Sequence, residues 1–307
     1  MIEFEGLSKH FEHLIAVNKI TLTVKPGEVL ALLGPNGAGK TTTVRMLSAV
    51  LKPTHGSARV AGHDVVTHAR TVRARVGVLT EMPGLYTRMT GREYLDFFGR
   101  VRSLSKANRR ERIARLADWF KMTAALDRRL GEYSKGMAQK IALIRTLLHN
   151  PPVLLLDEPT SAMDPESTRL VRDTIMQMRD DDQRAIIICT HNLTEAEELA
   201  DRIAIIRKGE IIEQGTPDEL KMRLLGWPLM ELRLTAPPHD ELISLVESFA
   251  PIDTVGDTWL RYSTASPHTT NPAVLHALSA AHVPVVTLSE VPQSLESVYL
   301  RVVAEEE

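Results

Sequence analysis

The sequence predicts an α/β protein built on a mostly parallel sheet, with a smaller α/β domain after it. Three apolar runs, 29–33, 153–156 and 185–188, show no alternation, and each ends in polar or glycine-rich residues. Such runs suit strands covered on both faces. In an open α/β sheet the ligand sits beyond the carboxyl ends of the strands, so three distant segments are expected to converge on one crevice. The second observation is a change of character near Gly226, after which prolines become frequent and strand-like and helix-like stretches alternate.

The elements between these landmarks follow from local patterns. Thr90 and Glu93 have capping-box spacing ahead of Tyr94, Leu95 and Phe98. A second helix is expected after Ser134, with Met137, Ile141, Ile144 and Leu148 on one face and a stop at Asn150-Pro151-Pro152. Residues 202–214 read as a hairpin with a Lys208-Gly209 turn. Beyond Gly226, Met230, Leu232 and Leu234 alternate with polar residues as in a strand, 240–249 has helical periodicity, and 259–262 and 283–288 read as strands. Asn271-Pro272 reads as a helix start, a cap followed by proline at the first position. A last helix is expected over 295–303. The expected domains are therefore 1–225, with a helical part over about 82–150, and 226–307.

Composition narrows the function. The 307 residues suffice for two domains, and 43% hydrophobic with 25% charged residues suits a globular protein. A net charge of −2 argues against broad nucleic-acid binding, so the arginine-dense stretch 100–115 reads as a solvated helix face. Cys189 is the only cysteine, which excludes an intramolecular disulfide, and its apolar neighbours make it an inert core thiol. Met1-Ile2-Glu3-Phe4-Glu5 does not read as a signal peptide, and no apolar stretch reaches membrane-spanning length. A membrane role would thus need another chain to supply the span.

Gly34-Pro35-Asn36-Gly37-Ala38-Gly39-Lys40-Thr41 fits the phosphate-binding pattern G-x-x-x-x-G-K-[ST], between an expected strand and an expected helix over 42–50. The glycines let backbone N–H groups wrap around phosphate, and the helix start, with Thr42, adds partial positive charge. Lys40 supplies a full charge to the outer phosphates, and the Thr41 hydroxyl is a hard oxygen donor suited to Mg²⁺. Asp157 ends the second apolar run and is placed to hold Mg²⁺. Glu158 follows it, where a carboxylate can position an attacking water and take its proton. His191, after the third run, is expected to contact phosphate.

These residues resemble the nucleotide-binding subunits of ABC transporters, over about residues 4–220. The P-loop is 34–41, the signature segment resembles Tyr133-Ser134-Lys135-Gly136-Met137-Ala138-Gln139, and Walker B is 153–158. Ser161-Ala162-Met163-Asp164 resembles the D-loop and His191 the switch histidine. The resemblance implies a P-loop ATPase core with a helical and an antiparallel β subdomain, plus the C-terminal α/β domain. It implies ATP and Mg²⁺ as cofactors, Phe11 stacked on adenine, and Ser134, Lys135, Gly136 and Met137 serving nucleotide held by a second copy. Two positions depart from the family pattern. The signature Leu-Ser-Gly-Gly-Gln is here Tyr-Ser-Lys-Gly-Met, which keeps Ser134 as helix cap, and Glu81 stands where the Q-loop glutamine is usual, as a further candidate Mg²⁺ ligand. Both departures, and the tail from Val291-Pro292, are similar to exporters of drugs and natural products whose ATPase and membrane subunits are separate chains. The implied setting is a homodimer on the cytoplasmic face of the membrane, bound to a separate permease, with no nucleic-acid partner. The competing class is a soluble ABC ATPase acting on nucleic acid or the ribosome. Such proteins carry tandem cassettes, long coiled coils or basic regions, which this sequence lacks.

Overall fold

The computed structural model describes residues 1–299 other than 162, 181, 293 and 297. The expected helix over 295–303 falls largely outside that range, as does Ala162 of the D-loop segment. Internal contacts divide the chain into two units, Met1–Pro217 and Asp218–Glu307.

The first unit begins with antiparallel strands β1 (Ile2–Phe11) and β2 (Leu14–Val24), then β3 (Val29–Leu33) and α1 (Lys40–Leu47). After β4 (His55–Val60), β5 (His63–Asp64) and α2 (Ala69–Arg75) comes β6 (Val76–Leu79). A helical stretch follows: α3 (Gly91–Val101), α4 (Lys106–Trp119) and α5 (Lys135–Leu147). The chain then alternates β7 (Val153–Asp157), α6 (Pro165–Asp180), β8 (Ala185–Thr190) and α7 (Leu193–Leu199), and closes with the hairpin β9 (Arg202–Arg207) and β10 (Glu210–Gly215). One sheet has the order β2-β1-β4-β5; the other, β10-β9-β3-β8-β7-β6, is parallel except at β10.

The three apolar runs become β3, β8 and β7, adjacent at the centre of the parallel sheet and buried throughout. Alternate side chains enter different cores. Leu155, Ile187 and Cys189 join a core shared with the antiparallel sheet and α1. Leu154, Leu156, Ile186 and Ile188 join one built with α3 to α6. Two buried faces explain why these strands carry no polar alternation.

The helix starts follow the sequence. Thr90 Oγ1 accepts from Glu93 N at 3.2 Å and Glu93 Oε2 from Thr90 N at 2.9 Å, a complete capping box. Ser134 Oγ accepts from Met137 N at 3.2 Å and caps α5. The arginine-dense stretch spends its charge internally: Arg109 Nε donates to Asp96 at 2.7 Å, and Arg112 Nη2 to the Leu147 carbonyl at 2.8 Å, at the end of α5.

The second unit contains α8 (Pro217–Leu225) save its first residue, β11 (Leu229–Leu234), α9 (Asp240–Glu247), β12 (Ile252–Val255), β13 (Trp259–Ser263), α10 (Pro267–Ala280) and β14 (Val285–Glu290). The contact boundary falls just after the first residue of α8, whereas the change in sequence character follows the helix. After α8 the order is a split β-α-β-β-α-β, in an antiparallel sheet β12-β13-β11-β14. Met230, Leu232, Leu260 and Tyr262 meet Leu242, Val246, Val274 and Leu278 of the helices in one core.

One expectation fails here. The helix starts at Pro267, and Pro272 lies inside it. Pro267 takes the first position that favours proline, so Asn271 is free for another role and accepts from the Tyr262 hydroxyl at 2.7 Å. Burial pushes that Tyr262 hydroxyl up to about 12.

Candidate nucleotide site

The loop after β3 is shaped by what it cannot hold. A Cβ on Gly34 would stand 2.2 Å from the Ile206 carbonyl oxygen, and one on Gly39 2.5 Å from the Ala16 oxygen. Gly39 also has a φ of 111°, in the region that favours glycine. The close approach is fastened by Gly34 N donating to Thr190 O at 3.3 Å and Gly209 N to Ala38 O at 2.9 Å. These bonds tie the loop to β8 and to the β9–β10 turn.

Lys40 is 6% exposed, and its Nζ donates to the carbonyls of Gly34 at 2.5 Å and Pro35 at 3.1 Å. The ammonium is thus folded back over its own loop, where three tetrahedral donors can be redirected to phosphate without moving the backbone. Thr41 Oγ1 donates to Asp157 Oδ2 at 2.9 Å. Burial raises the Asp157 carboxyl, the Thr41 bond works against that, and Glu158 and Glu81 add to the rise.

Glu158 is 7% exposed, with a φ of 50°. A bulky residue in this left-handed region stores roughly 1–3 kcal/mol of strain, which surrounding bonds must hold. Here Glu158 N donates to Cys189 O at 2.9 Å, and Gln139 Nε2 donates to the Glu158 carbonyl at 3.1 Å. The carboxylate turns toward β8: Oε1 accepts from His191 N at 3.1 Å and lies 2.6 Å from His191 Nδ1. A carboxylate only accepts, so this contact puts the ring hydrogen on Nδ1 and leaves Nε2 facing away. Oε2 has only a long contact of 3.4 Å from the Thr190 hydroxyl. The His191 side chain is 60% exposed.

A cavity of about 740 Å³ opens over the loop and is lined by Phe11, 35–42, Glu81, Asp157 and Glu158. Phe11 is 45% exposed, with Lys9 Nζ 5.1 Å from its ring centroid. The structure therefore brings together the P-loop residues Pro35, Asn36, Gly37, Ala38, Gly39, Lys40, Thr41 and Thr42 with Phe11, Glu81, Asp157 and Glu158. His191 reaches the group through Glu158. Ser134, Lys135, Gly136 and Met137 do not line this cavity; they begin α5. Asp164 does not line it either, and its two oxygens accept from Ser167 N at 2.9 Å and Ser167 Oγ at 2.7 Å, which starts α6.

Among known proteins, residues 17–161 match the family described as ABC transporter. The daunorubicin/doxorubicin resistance ATP-binding protein DrrA of Streptomyces peucetius is 42% identical over 233 residues, 76% of this chain and 70% of that protein. The chain belongs to the ATP-binding subunits of ABC transporters. A Nod factor export ATP-binding protein I of Rhizobium sp. (strain N33) is 33% identical over 306 residues, 99% of this chain and 97% of that protein. A solved ATP-binding subunit of an ABC transporter superposes with a TM-score of 0.69 at 27% identity, covering 74% of this chain and 94% of that one. The chain is accordingly an ABC-type ATPase, and the P-loop cavity is its candidate nucleotide site.

The ATPase site also holds residues the sequence reading passed over. Leu14, Ile15 and Ala16 extend the wall that Phe11 begins, and Arg45 and Lys208 add two cations. Arg45 was within reach, since it stands four residues after Thr41 and shares its helix face. Lys208 had no local signal, because only the β9–β10 turn brings it to the loop.

Proposed function

We propose that this ATPase powers an exporter, working as a homodimer with a separate membrane permease at the cytoplasmic face of the membrane. The names of its relatives, which concern drug resistance and Nod factor export, support the export reading. The observation that supports the dimer is that the signature residues do not line their own cavity. Ser134 to Met137 start α5 at an exposed or half-exposed helix end and are not part of the lining of the P-loop pocket. Free N–H groups at a helix start suit an anion, and a second copy's ATP supplies one.

Within each copy, Phe11 stacks on adenine and the P-loop N–H groups hold the phosphates. The Lys40 ammonium turns from the carbonyls of Gly34 and Pro35 to the outer phosphates. The Thr41 hydroxyl and Asp157 carboxylate are adjacent hard oxygen donors, and with Glu81 on the same cavity this set fits Mg²⁺. When bound, Mg²⁺ supplies positive charge to the β- and γ-phosphates. Glu158 orients the attacking water and accepts its proton as the oxygen–phosphorus bond forms and the β–γ bridge breaks. His191 donates its Nδ1 hydrogen to Glu158 and so holds that carboxylate in place beside the γ-phosphate. Phosphates contacted by both chains favour closure of the dimer; their loss favours opening, and the permease follows that cycle.

The test is affinity capture of the full chain carrying Glu158→Gln, with ATP, from gently solubilised source membranes, and mass spectrometry of what co-purifies. A polytopic membrane protein in stoichiometric amount is the expected result. A ribosomal or DNA-associated partner with no membrane protein would overturn export and leave the ATPase intact.

A further inference from the structure

Far from the P-loop in sequence, a second cavity of about 330 Å³ lies where α4, the end of α5, α6 and the approach to β8 meet. Its wall includes Arg112, Arg115, Trp119, Met178, Asp182 and Arg184. Three guanidinium groups thus face one carboxylate among the described lining residues. Arg184 is 6% exposed. Its Nε and Nη2 donate to Asp182 Oδ2 at 2.9 and 2.6 Å, and Nη2 also to Asn150 Oδ1 at 2.9 Å. Its remaining amino group, Nη1, is enclosed and has no hydrogen-bond partner among the described residues. Leaving a charged donor unpaired in a protein interior is costly, and here it leaves the Arg184 charge incompletely neutralised in the wall of the cavity.

The neighbours share the imbalance. Arg112 donates through Nε to the Leu148 carbonyl and through Nη2 to that of Leu147. Burial lowers the Arg112 guanidinium below its ordinary value, and the proximity of Arg115 and Arg184 lowers it further, against a weaker opposing pull from Glu111 and Asp182. Arg115 stands exposed at the rim. The other wall is apolar, with Trp119 beside Leu116 and Met178.

We propose that this cavity binds a small oxyanion, a carboxylate or phosphate ester carrying one planar group, held by Arg112, Arg115 and Arg184 with its ring against Trp119. Guanidinium forks match both oxyanions in two-point geometry. The volume lies at the small end of ligand sites, which limits the occupant to about one ring and its acid group.

The test is calorimetric titration of the full chain with benzoate and, separately, phenyl phosphate. A saturating non-hydrolysable ATP analogue keeps the P-loop filled, so a phosphate probe cannot score there. The expected result is one site per chain for at least one probe, with the better probe naming the acid group. Affinity should fall about tenfold or more in Arg115→Gln, an exposed change that leaves the fold alone, and in Arg184→Gln. Failure of both probes to bind, or binding unchanged in Arg115→Gln, overturns the proposal. Neither arm depends on ATP hydrolysis, so a failure here is distinct from a failure of the transport reading.

Discussion

The parallel sheet of the first unit and the antiparallel sheet of the second bury polar groups in opposite ways. In the parallel sheet the carboxyl ends of β3, β7 and β8 lie side by side. Lys40, Asp157, Glu158 and Thr190 gather there, in a backbone partly held in the left-handed region. Their hydrogen bonds run to loop carbonyls and to each other, and can be exchanged for bonds to a ligand. In the antiparallel sheet the buried charge sits in mid-strand. Glu231 accepts from Arg233 Nε at 2.7 Å and from Arg261 Nε and Nη2 at 2.9 and 2.7 Å, and those arginines, Arg261 first, hold its carboxyl below the usual range. Arg261 in turn lies over the Trp259 ring, 4.7 Å from its centroid. That carboxylate is already paired. Parallel topology delivers polar strand ends to one edge, while alternating strands send successive ends to opposite edges. Chemistry is therefore expected of the first unit and structural support of the second.

The largest effect that tests this division is on catalysis. Glu158→Gln should lower steady-state turnover by about 10²–10⁴-fold while equilibrium binding of ATP stays near normal. Normal turnover would remove Glu158 as the base. The matching change in the second unit is Leu232→Ala, at a side chain with no exposed surface. It should cost about 2–5 kcal/mol in denaturant unfolding of that unit and leave the kcat of folded chains unaltered. A parallel drop in kcat would show that the two units are not separate in function.

Smaller effects sharpen the picture inside the first unit. His149 Nε2 lies 3.2 Å from the Val76 carbonyl, while Nδ1 is enclosed without a partner among the described residues. Burial, then the nearby Arg102, push this histidine from 6.5 down to about 4. Its folded value is below its unfolded one, so its contribution is full above pH 6.5 and is lost as pH falls toward 4, by about 3 kcal/mol. Replacing His149 by Leu should flatten unfolding free energy across that window; an unchanged slope would mean the ring protonates in the fold. The smallest effect is Thr90→Ala, which removes one half of the capping box and should cost about 1 kcal/mol in thermal unfolding.

What the sequence made legible was whatever depends on neighbours in the chain. The P-loop, the Thr90 and Ser134 caps and the β9–β10 hairpin are each encoded within a few residues, and so were readable. The partnership of Glu158 with His191 needed more. Both follow buried strands, but their contact rests on the register that sets Asp157 beside Cys189. The start of α10 was misplaced because two prolines satisfied one local rule and only the Tyr262–Asn271 bond separates them. Lys208 and the Gln139 amide entered the site through tertiary approach alone, which no short pattern records.

Cys189 lies in the core with no exposed surface, and burial pushes its thiol well above the ordinary value. The native chain is therefore nearly silent toward thiol reagents. Met82 and Val50 are 83% and 71% exposed, so a cysteine introduced at either becomes the one reactive handle. Dyes placed there would test whether two copies approach and separate through a round of hydrolysis, with the native thiol left where it is.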